Sequence, residues 1–206
     1  MNSNWLIGGT DHLELTEEYL QRYWPELPYK KIIIRQNSQY DFEFSDSSEL
    51  IKKGDSAFVS FDSRFGNFKR TELMHFVASR GIKLLNIISP RAMIAHDVKI
   101  GVNVFIGDGC IIGPGARIDY NSVILPGAYI GSKSYINSSN WIESGVHIGN
   151  NVIIGSNSKV CTGAIISDNI KIGRNCELGW KKYYDMDVLP GTFYDSKFDS
   201  PILTYY

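Results

Sequence analysis

Aliphatic residues recur at every sixth position through the central part of the chain. From Ile88 to Leu178 each residue of this series is Ile, Val or Leu, and none is polar. A small or β-branched residue precedes most of them by two positions, and glycine directly follows many of them. A period of six matches neither the amphipathic helix nor the strand with one solvated face. The pattern therefore predicts a repeat in which each hexad forms one short strand and one corner.

The hexads predict a parallel β-helix over residues 88–179 with about five triangular coils. The aliphatic residue is expected to fill the interior, the small residue to fit inside the corner, and glycine to ease the backbone of the turn. Equivalent residues of successive coils then stack about 4.8 Å apart. A homotrimer is expected to cover the apolar outward positions, which a single β-helix would leave in water. These positions include Val123, Tyr129, Tyr135, Trp141 and Ile153.

Residues 1–87 predict a small α/β domain with a parallel sheet, because apolar strands alternate with amphipathic helices. Strands are expected at 5–7, 31–35, 57–61 and 84–88, and helices at 13–23, 47–53 and 70–80. Ligands of such sheets bind at the carboxyl ends of the strands. Those ends carry residues 8–12, 35–37 and 62–67 of this chain.

The first strand end is a glycine turn, Gly8-Gly9-Thr10, that leads directly into a helix. Such a turn brings backbone N–H groups and the positive end of a helix up to an anionic ligand. A Gly-Gly pair can also simply close a strand–helix connection, and the motif alone slightly favours that structural role.

At the other end of the chain, the period stops after Leu178. Residues 180–206 are aromatic and irregular, as expected of a segment that caps the open end of a β-helix.

Charge and composition exclude several classes of function. The formal net charge is −1, from 21 basic and 22 acidic residues, which argues against a nucleic-acid partner. No apolar run approaches the roughly 20 residues that span a bilayer, and the first ten residues lack a signal-peptide pattern. A cytoplasmic protein without membrane contact is therefore expected. Cys110 and Cys176 fall at inward corners and Cys161 lies beside a core position, which suits reduced, packed thiols.

Several short motifs occur in a characteristic order. A glycine turn carries His12, Asn67 is followed by Arg70 three residues on, and Gly81 precedes the run KLLNIISP, which leads directly into the hexads. This order, from residue 4 to residue 179, resembles the NeuD/PglD-like hexapeptide-repeat sugar acyltransferases. The resemblance implies a left-handed β-helix, a trimer, and acetyl-CoA as co-substrate in the groove between neighbouring β-helices. It also implies that the first domain binds a nucleotide sugar, and it implies no metal ion.

The strand ends, the basic positions and the resemblance together give the candidate binding residues. For the nucleotide sugar they are Gly8, Gly9, Thr10, His12, Arg35, Asp62, Asn67 and Arg70. For coenzyme A they are Gly145, Gly163, Ala164, Lys171, Arg174 and Lys181. The basic members of the second set could meet the phosphates of coenzyme A, and a solvated basic edge explains them equally well.

The sequence departs from the family at the catalytic position. The family pattern NTxxxxEHDxxIG aligns with residues 137–149, so that Asn137, Glu143, Ser144 and His147 become the catalytic candidates. Ser144 stands where the family has its histidine base, and a serine of ordinary pKa does not accept a proton near neutral pH. His147 lies three residues further on at an outward position, where solvation or a subunit contact is the favoured role. The family's usual His-Pro at the junction is Ser89-Pro90 here.

The missing histidine favours one acceptor over another. A hydroxyl acceptor needs a base, and its absence costs about 10² to 10⁴ in rate. A sugar amine needs mainly positioning and an oxyanion donor, which a backbone N–H such as that of Gly145 could supply. The expected function is therefore acyl-CoA-dependent N-acylation of a nucleotide-linked 4-amino-4,6-dideoxy sugar, dTDP- or UDP-linked, for surface polysaccharide such as the O-antigen of lipopolysaccharide. Two alternatives remain: a sialic-acid-type O-acetyltransferase, and a non-catalytic trimeric homologue.

Overall fold

A computed structural model describes residues 3–43, 51–63, 67–179, 183–198 and 200–204. The first part is an α/β domain in which four parallel strands form a sheet of order β2-β1-β5-β6, which confirms the predicted small parallel sheet. Its elements are β1 Asn4–Gly8, α1 Thr10–Tyr23, β2 Lys30–Ile33, β3 Arg35–Gln36, β4 Phe42–Glu43, β5 Ser56–Ser60, α2 Phe68–Ser79 and β6 Lys83–Leu84.

The strands of this domain differ from the prediction in two places. The strand expected at 84–88 is divided, because Leu85 donates its N–H to Ala57 of the sheet whereas Ile87 donates to Val104 of the β-helix. The strand expected at 31–35 ends at Ile33, and Arg35 instead begins a hairpin of β3 with β4. The helix expected at 47–53 lies largely outside the described residues.

From Ile87 onward the chain winds as a parallel β-helix with three faces. The first face contains Ile87–Ile88, Phe105–Ile106, Val123–Ile124, Trp141–Ile142, Lys159–Val160, Glu177–Leu178 and Thr192–Tyr194. The second contains Met93–Ile94, Ile111–Ile112, Tyr129–Ile130, His147–Ile148, Ile165–Ile166 and Tyr183–Tyr184. The third contains Lys99–Ile100, Arg117–Ile118, Tyr135–Ile136, Ile153–Ile154 and Lys171–Ile172.

The β-helix is longer than predicted. The second face holds six strands, which makes about six coils where the hexads predict about five. Strands continue past residue 179, and Val188 forms a bridge with Ile172 on the third face. Part of the segment expected to be irregular therefore extends the coils with other spacings. Ile202–Leu203 then pairs antiparallel with Thr192–Tyr194 at the end of the first face.

The inward positions follow the predicted register. Ile112, Ile130 and Ile148 stack on one another in three successive coils, and each is buried. Polar corner residues are buried too, and they bond to the next coil. The Ser134 hydroxyl donates to the Gly149 carbonyl at 2.7 Å and accepts from the Val152 N–H at 3.0 Å. A polar residue is therefore tolerated inside a corner because it satisfies backbone groups there.

The recurring glycine has a different role from the one predicted. A Cβ on Gly131 would lie 2.4 Å from the carbonyl carbon of Gly149 in the next coil, so glycine is needed there for close coil packing. Positive φ occurs instead at a different position of the hexad, at every sixth residue from Asn103 to Asn175, where Asn and Gly predominate. These two residue types adopt the left-handed conformation most readily.

The α/β domain packs on the first face. The outward residues of its first four coils, Ile87, Phe105, Val123 and Trp141, are buried against α1, β1 and β5 of the same chain. The expectation that a partner subunit covers Val123 and Trp141 is therefore wrong. Ile153, on the third face, remains 39 % exposed.

Polar contacts fix the domain at both edges of this face. At one edge the Asn103 side chain bonds to both the N–H and the carbonyl of Val59 in β5. At the other, Asp108 accepts from the hydroxyls of Tyr23 in α1 and Ser89 at the junction. Burial would raise the pKa of Asp108, but these hydrogen bonds and nearby arginines hold it below its usual value. Of the helices described, neither is long and apolar enough to cross a bilayer.

Candidate functional site

The glycine turn lies over the first face at the coil of Trp141. Gly8 ends β1 beside β5, where a Cβ would lie 1.6 Å from the Ser60 carbonyl oxygen, so no other residue fits. Gly9 precedes α1, and no side chain in the described structure caps the helix there. The ring of His12, on the first turn of α1, meets the ring of Trp141 edge-on with 5.8 Å between centroids. The first turn of α1 therefore contacts the first face at Trp141, three residues before Ser144 in the sequence.

Two further predicted residues lie at the same edge of the sheet. Arg35 is exposed on the β3–β4 hairpin, next to the end of β2, and Asp62 follows β5 in a buried position. The hairpin packs against the end of β5, where the rings of Phe42 and Phe61 meet at 5.2 Å. The structure thus brings Gly8, Gly9, Thr10 and His12 to one edge together with Arg35 and Asp62.

Asn67 and Arg70 are buried, so a ligand at this edge of the sheet would not reach them. Asn67 is fully buried at φ 63°, directly before α2. Arg70 is also buried, and its Nη2 donates to the carbonyls of Asn121 at 2.7 Å and Asn140 at 3.3 Å. Burial lowers the pKa of Arg70 to about 9 against the opposing charge of Asp62, which leaves it cationic at neutral pH. The direct contact with substrate predicted for these two residues is therefore not supported, because both are packed between the domain and the β-helix.

The predicted catalytic residues lie around two different corners of the coil. The first corner, residues 143–146, joins the first face to the second, and it holds Glu143 and Ser144. Glu143 accepts two hydrogen bonds of 2.9 Å from Thr162 and pairs with Lys159 at 3.2 Å. Burial raises the pKa of Glu143, but Thr162 and Lys159 together lower it below its ordinary value. Glu143 is thus a fixed carboxylate rather than a proton acceptor near neutral pH.

Ser144 is half-buried, and its hydroxyl has no hydrogen-bond partner among the described residues. His147 points outward on the second face, where its ring stacks on Tyr129 with 4.4 Å between centroids and 6° between planes. Asn137 lies at the corner on the other side of the first face, and its amide donates to the Ile154 carbonyl at 2.7 Å. The geometry therefore groups Ser144 with Glu143 and leaves His147 and Asn137 elsewhere.

The predicted coenzyme A residues are divided in the same way. The Gly145 N–H donates to the Pro126 carbonyl at 3.2 Å, so the oxyanion donor suggested by the sequence is already used. In the next coil, the Gly163 N–H has no acceptor in the part of the chain described. Ala164 is buried, and both of its backbone polar groups are bonded within the β-helix. Lys171 and Arg174 are exposed on the third face and the corner that follows it. Lys181 lies outside the described residues.

Sequence reasoning missed a charged cluster on the first face. Beyond Trp141 the outward residues change to Lys159 and Glu177, and the Lys159 ammonium lies 3.2 Å from Glu143 and 3.6 Å from Glu177. The signal was present in the sequence, since these positions follow Trp141 at intervals of 18 residues. Cys161 beside them is not a nucleophile, because burial raises the pKa of its thiol to about 12.

The chain thus combines a hexapeptide β-helix with an α/β domain that is docked on one of its faces. A family profile described as the GMPPB C-terminal domain matches residues 83–141. No curated protein sequence matches the chain significantly.

Several solved structures share the fold over nearly the whole chain. Perosamine N-acetyltransferase from Caulobacter crescentus, a histidine-to-asparagine variant with CoA and GDP-perosamine, superposes with a TM-score of 0.80 at 18% identity, covering 96% of this chain and 95% of that one. The acetyltransferase domain of PglB from Neisseria gonorrhoeae, with acetyl coenzyme A, gives 0.82 at 17% identity over 98% and 100%. WeeI from Acinetobacter baumannii gives 0.72 at 14% identity over 98% and 100%. The resemblance inferred from the motifs is confirmed at the level of the fold.

Proposed function

We propose that the protein is an acetyl-CoA-dependent N-acetyltransferase of a nucleotide-linked amino sugar, such as a dTDP- or UDP-4-amino-4,6-dideoxyhexose, acting in cytoplasmic surface polysaccharide synthesis. One observation carries the proposal. The α/β domain is docked so that its glycine turn, through His12, contacts Trp141, only three residues before Ser144 at the first corner. A nucleotide bound at the turn would therefore direct its sugar toward this corner.

The edge of the α/β sheet suits a nucleotide diphosphate. The N–H groups at the start of α1 are open, since Gly9 offers no side chain to cap them. A helix N-terminus binds phosphate through such groups and its dipole. Exposed Arg35 lies at the same edge and could add a charge-assisted hydrogen bond. This assignment leaves Asn67 and Arg70 as supports of the domain rather than as ligands.

The acyl-donor site requires a second chain. The Gly163 N–H belongs to the equivalent corner of the next coil, whereas Lys171 and Arg174 lie on the third face and its corner, so one chain does not bring them together. We therefore propose a trimer in which the third face of one subunit lies beside the first corner of the next. The second face supports an assembly, because its outward residues Met93, Ile111, Ile165 and Tyr183 are apolar and exposed.

The chemistry needs little from the side chains. The amine nitrogen bonds to the acetyl carbon while the carbon–sulfur bond breaks, the amine loses its proton to water, and the thiolate leaves. The Gly163 N–H, which has no acceptor in the described chain, would stabilise the negative charge that develops on the acetyl oxygen. Ser144 lacks a partner that would make it basic, and Glu143 is held as an ion pair. An amine that is partly unprotonated at neutral pH is therefore the acceptor that this corner best supports.

The experiment is a thiol-release assay of the pure protein with acetyl-CoA and a panel of acceptors. The panel pairs each UDP-, dTDP- or GDP-linked 4-amino sugar with its 4-hydroxy counterpart, and includes free sialic acid. We expect release with at least one amino sugar and none with its hydroxy counterpart, together with an acetylated amide in the product. Release with sialic acid alone would indicate O-acetylation, and no release with any acceptor would indicate a non-catalytic homologue.

A further inference from the structure

Arg70 places a positive charge between the two domains without a matching negative charge. Its side chain is 1% exposed. Nη2 donates to two backbone carbonyls, but Nε and Nη1 have no hydrogen-bond partner among the described residues. In the part of the chain that the structure describes, no carboxylate lies within ion-pair distance of it, and Asp62 attracts it only from further away.

This arrangement is unfavourable unless something compensates it. A buried charge is normally paired, and an unsatisfied buried donor costs more when it is charged. The carbonyls of Asn121 and Asn140 compensate only one nitrogen. The ring of Trp141, 5.2 Å from the guanidinium carbon, adds a modest cation–π attraction. Two nitrogens of a fully buried guanidinium therefore still lack acceptors.

A small cavity adjoins this group. It measures about 20 Å³ and is bounded by Arg70 together with His12, Thr16, Ser60 and Trp141, the other lining residues being apolar. The two hydroxyls are already engaged, because both donate to the His12 carbonyl and contact each other at 2.9 Å. A cavity of this size holds one water-sized particle and excludes a phosphate or a carboxylate.

We propose that this cavity binds one monovalent halide ion, chloride under cellular conditions, as the counter-ion of Arg70. A halide accepts hydrogen bonds from several N–H donors, and it carries no hydrogen that would itself need an acceptor. A water molecule would find few acceptors among these lining residues and would leave the charge uncompensated. Because α1, β5, α2 and the first face all contribute to the cavity, anion binding and docking of the α/β domain stabilise each other. Of the residues that line the cavity, His12 also belongs to the proposed nucleotide site, but chloride binding does not require the proposed reaction.

A crystal of the wild-type protein soaked in sodium bromide tests the site directly. We expect an anomalous peak inside the cavity within hydrogen-bond distance of Nε or Nη1 of Arg70. A cavity that shows an ordered water and no anomalous peak would overturn the proposal. This arm needs no variant, so it decides the question even if substitutions of Arg70 prevent folding.

Thermal unfolding tests the same site in solution. Replacing sodium gluconate by sodium chloride at constant ionic strength should raise the melting temperature of the wild type saturably, by about 3 to 5 °C. Arg70→Met should abolish the rise. Arg117→Met is the matched control, because it removes an exposed arginine from the third face, and it should keep the rise. An equal rise of the melting temperature with chloride in the wild type and in Arg70→Met would contradict the assignment.

Discussion

The first and second faces of the β-helix are built from the same hexad but meet different surroundings. The inward residues are equivalent, as Ile124 on one face and Ile130 on the other are both fully buried. The outward residues differ. On the first face Phe105 is buried by the chain's own α/β domain, whereas Ile111 in the next hexad is 39% exposed.

The difference separates two kinds of information in the sequence. The period of six defines the interior of the coils on every face alike. The residue one position before each aliphatic residue reflects what covers that face. On the first face this outward residue changes from apolar Trp141 to charged Lys159 in the next coil, and the α/β domain covers the face only as far as Trp141. The apolar second face has no such cover within the described chain, which is why we infer a partner subunit there.

The largest effect is expected in the interior that the faces share. Ile130→Asp places an unpaired charge among stacked isoleucines and should destabilise the protein by several kcal/mol or prevent folding. Lys133→Asp, three residues on, changes an exposed turn residue with φ 58°, and aspartate tolerates that conformation. Denaturant titration measures both. Similar midpoints for the two variants would show that the interior has been assigned wrongly.

The next prediction compares the faces themselves. Phe105→Lys puts a charge against Tyr19, whose ring lies 5.0 Å away, and should lower the free energy of unfolding by about 3 to 5 kcal/mol. Ile111→Lys makes the same kind of change on an exposed position, and should alter the stability of the isolated chain by about 0.5 kcal/mol or less. If Ile111→Lys were the more damaging of the two under monomeric conditions, the docking of the α/β domain would be in doubt.

The proposed trimer is tested on the second face. Ile165 is 45% exposed, and a lysine there should weaken a subunit contact without disturbing the interior. Sedimentation velocity should show a trimer for the wild type at micromolar concentration and smaller species for Ile165→Lys. Lys133→Asp is the control and should remain trimeric. A monomeric wild type would contradict both the assembly and the shared acyl-donor site.

The interior was predictable because it depends only on the identity of residues at a fixed period. The placement of the α/β domain was not, because it depends on single long-range contacts such as Tyr23 with Asp108, 85 positions apart. Arg70 illustrates the limit: motif matching suggests a ligand for phosphate, and only the fold shows that the side chain is buried between domains. Asn and Gly predominate at the left-handed position, and this pattern is visible in the sequence beside the glycine that follows the aliphatic residue.

The chemistry at the first corner should not depend on the second face of the same chain. His147→Ala removes an outward ring stacked on Tyr129 and should lower kcat less than about tenfold if the substrate amine needs no base. Ser144→His should give little gain for the same reason. The rate should rise with pH along the titration of the acceptor amine. A loss of about 10² or more in kcat for His147→Ala would instead identify His147 as the base.

The smallest effect concerns the uncovered end of the first face. Glu143→Gln removes the pair with Lys159, and because both side chains are partly exposed the loss should be about 1 kcal/mol or less. The pKa of Glu143 is below its ordinary value in the folded protein, so its contribution is present above about pH 4.5 and is lost as the pH falls further. Urea titrations should therefore show the two proteins converging in stability toward pH 3. A constant difference across this range would mean that the ion pair is not its source.

A crystal structure with coenzyme A and a nucleotide-linked amino sugar bound would show where the diphosphate, the sugar nitrogen and the coenzyme sulfur lie. We expect the diphosphate at the start of α1 beside Gly9, the sugar nitrogen near Ser144, and the coenzyme sulfur close to the Gly163 N–H, with the phosphates of the coenzyme against Lys171 or Arg174 of a neighbouring chain. A nucleotide bound away from the glycine turn, or a coenzyme sulfur beside His147 on the second face, would contradict it.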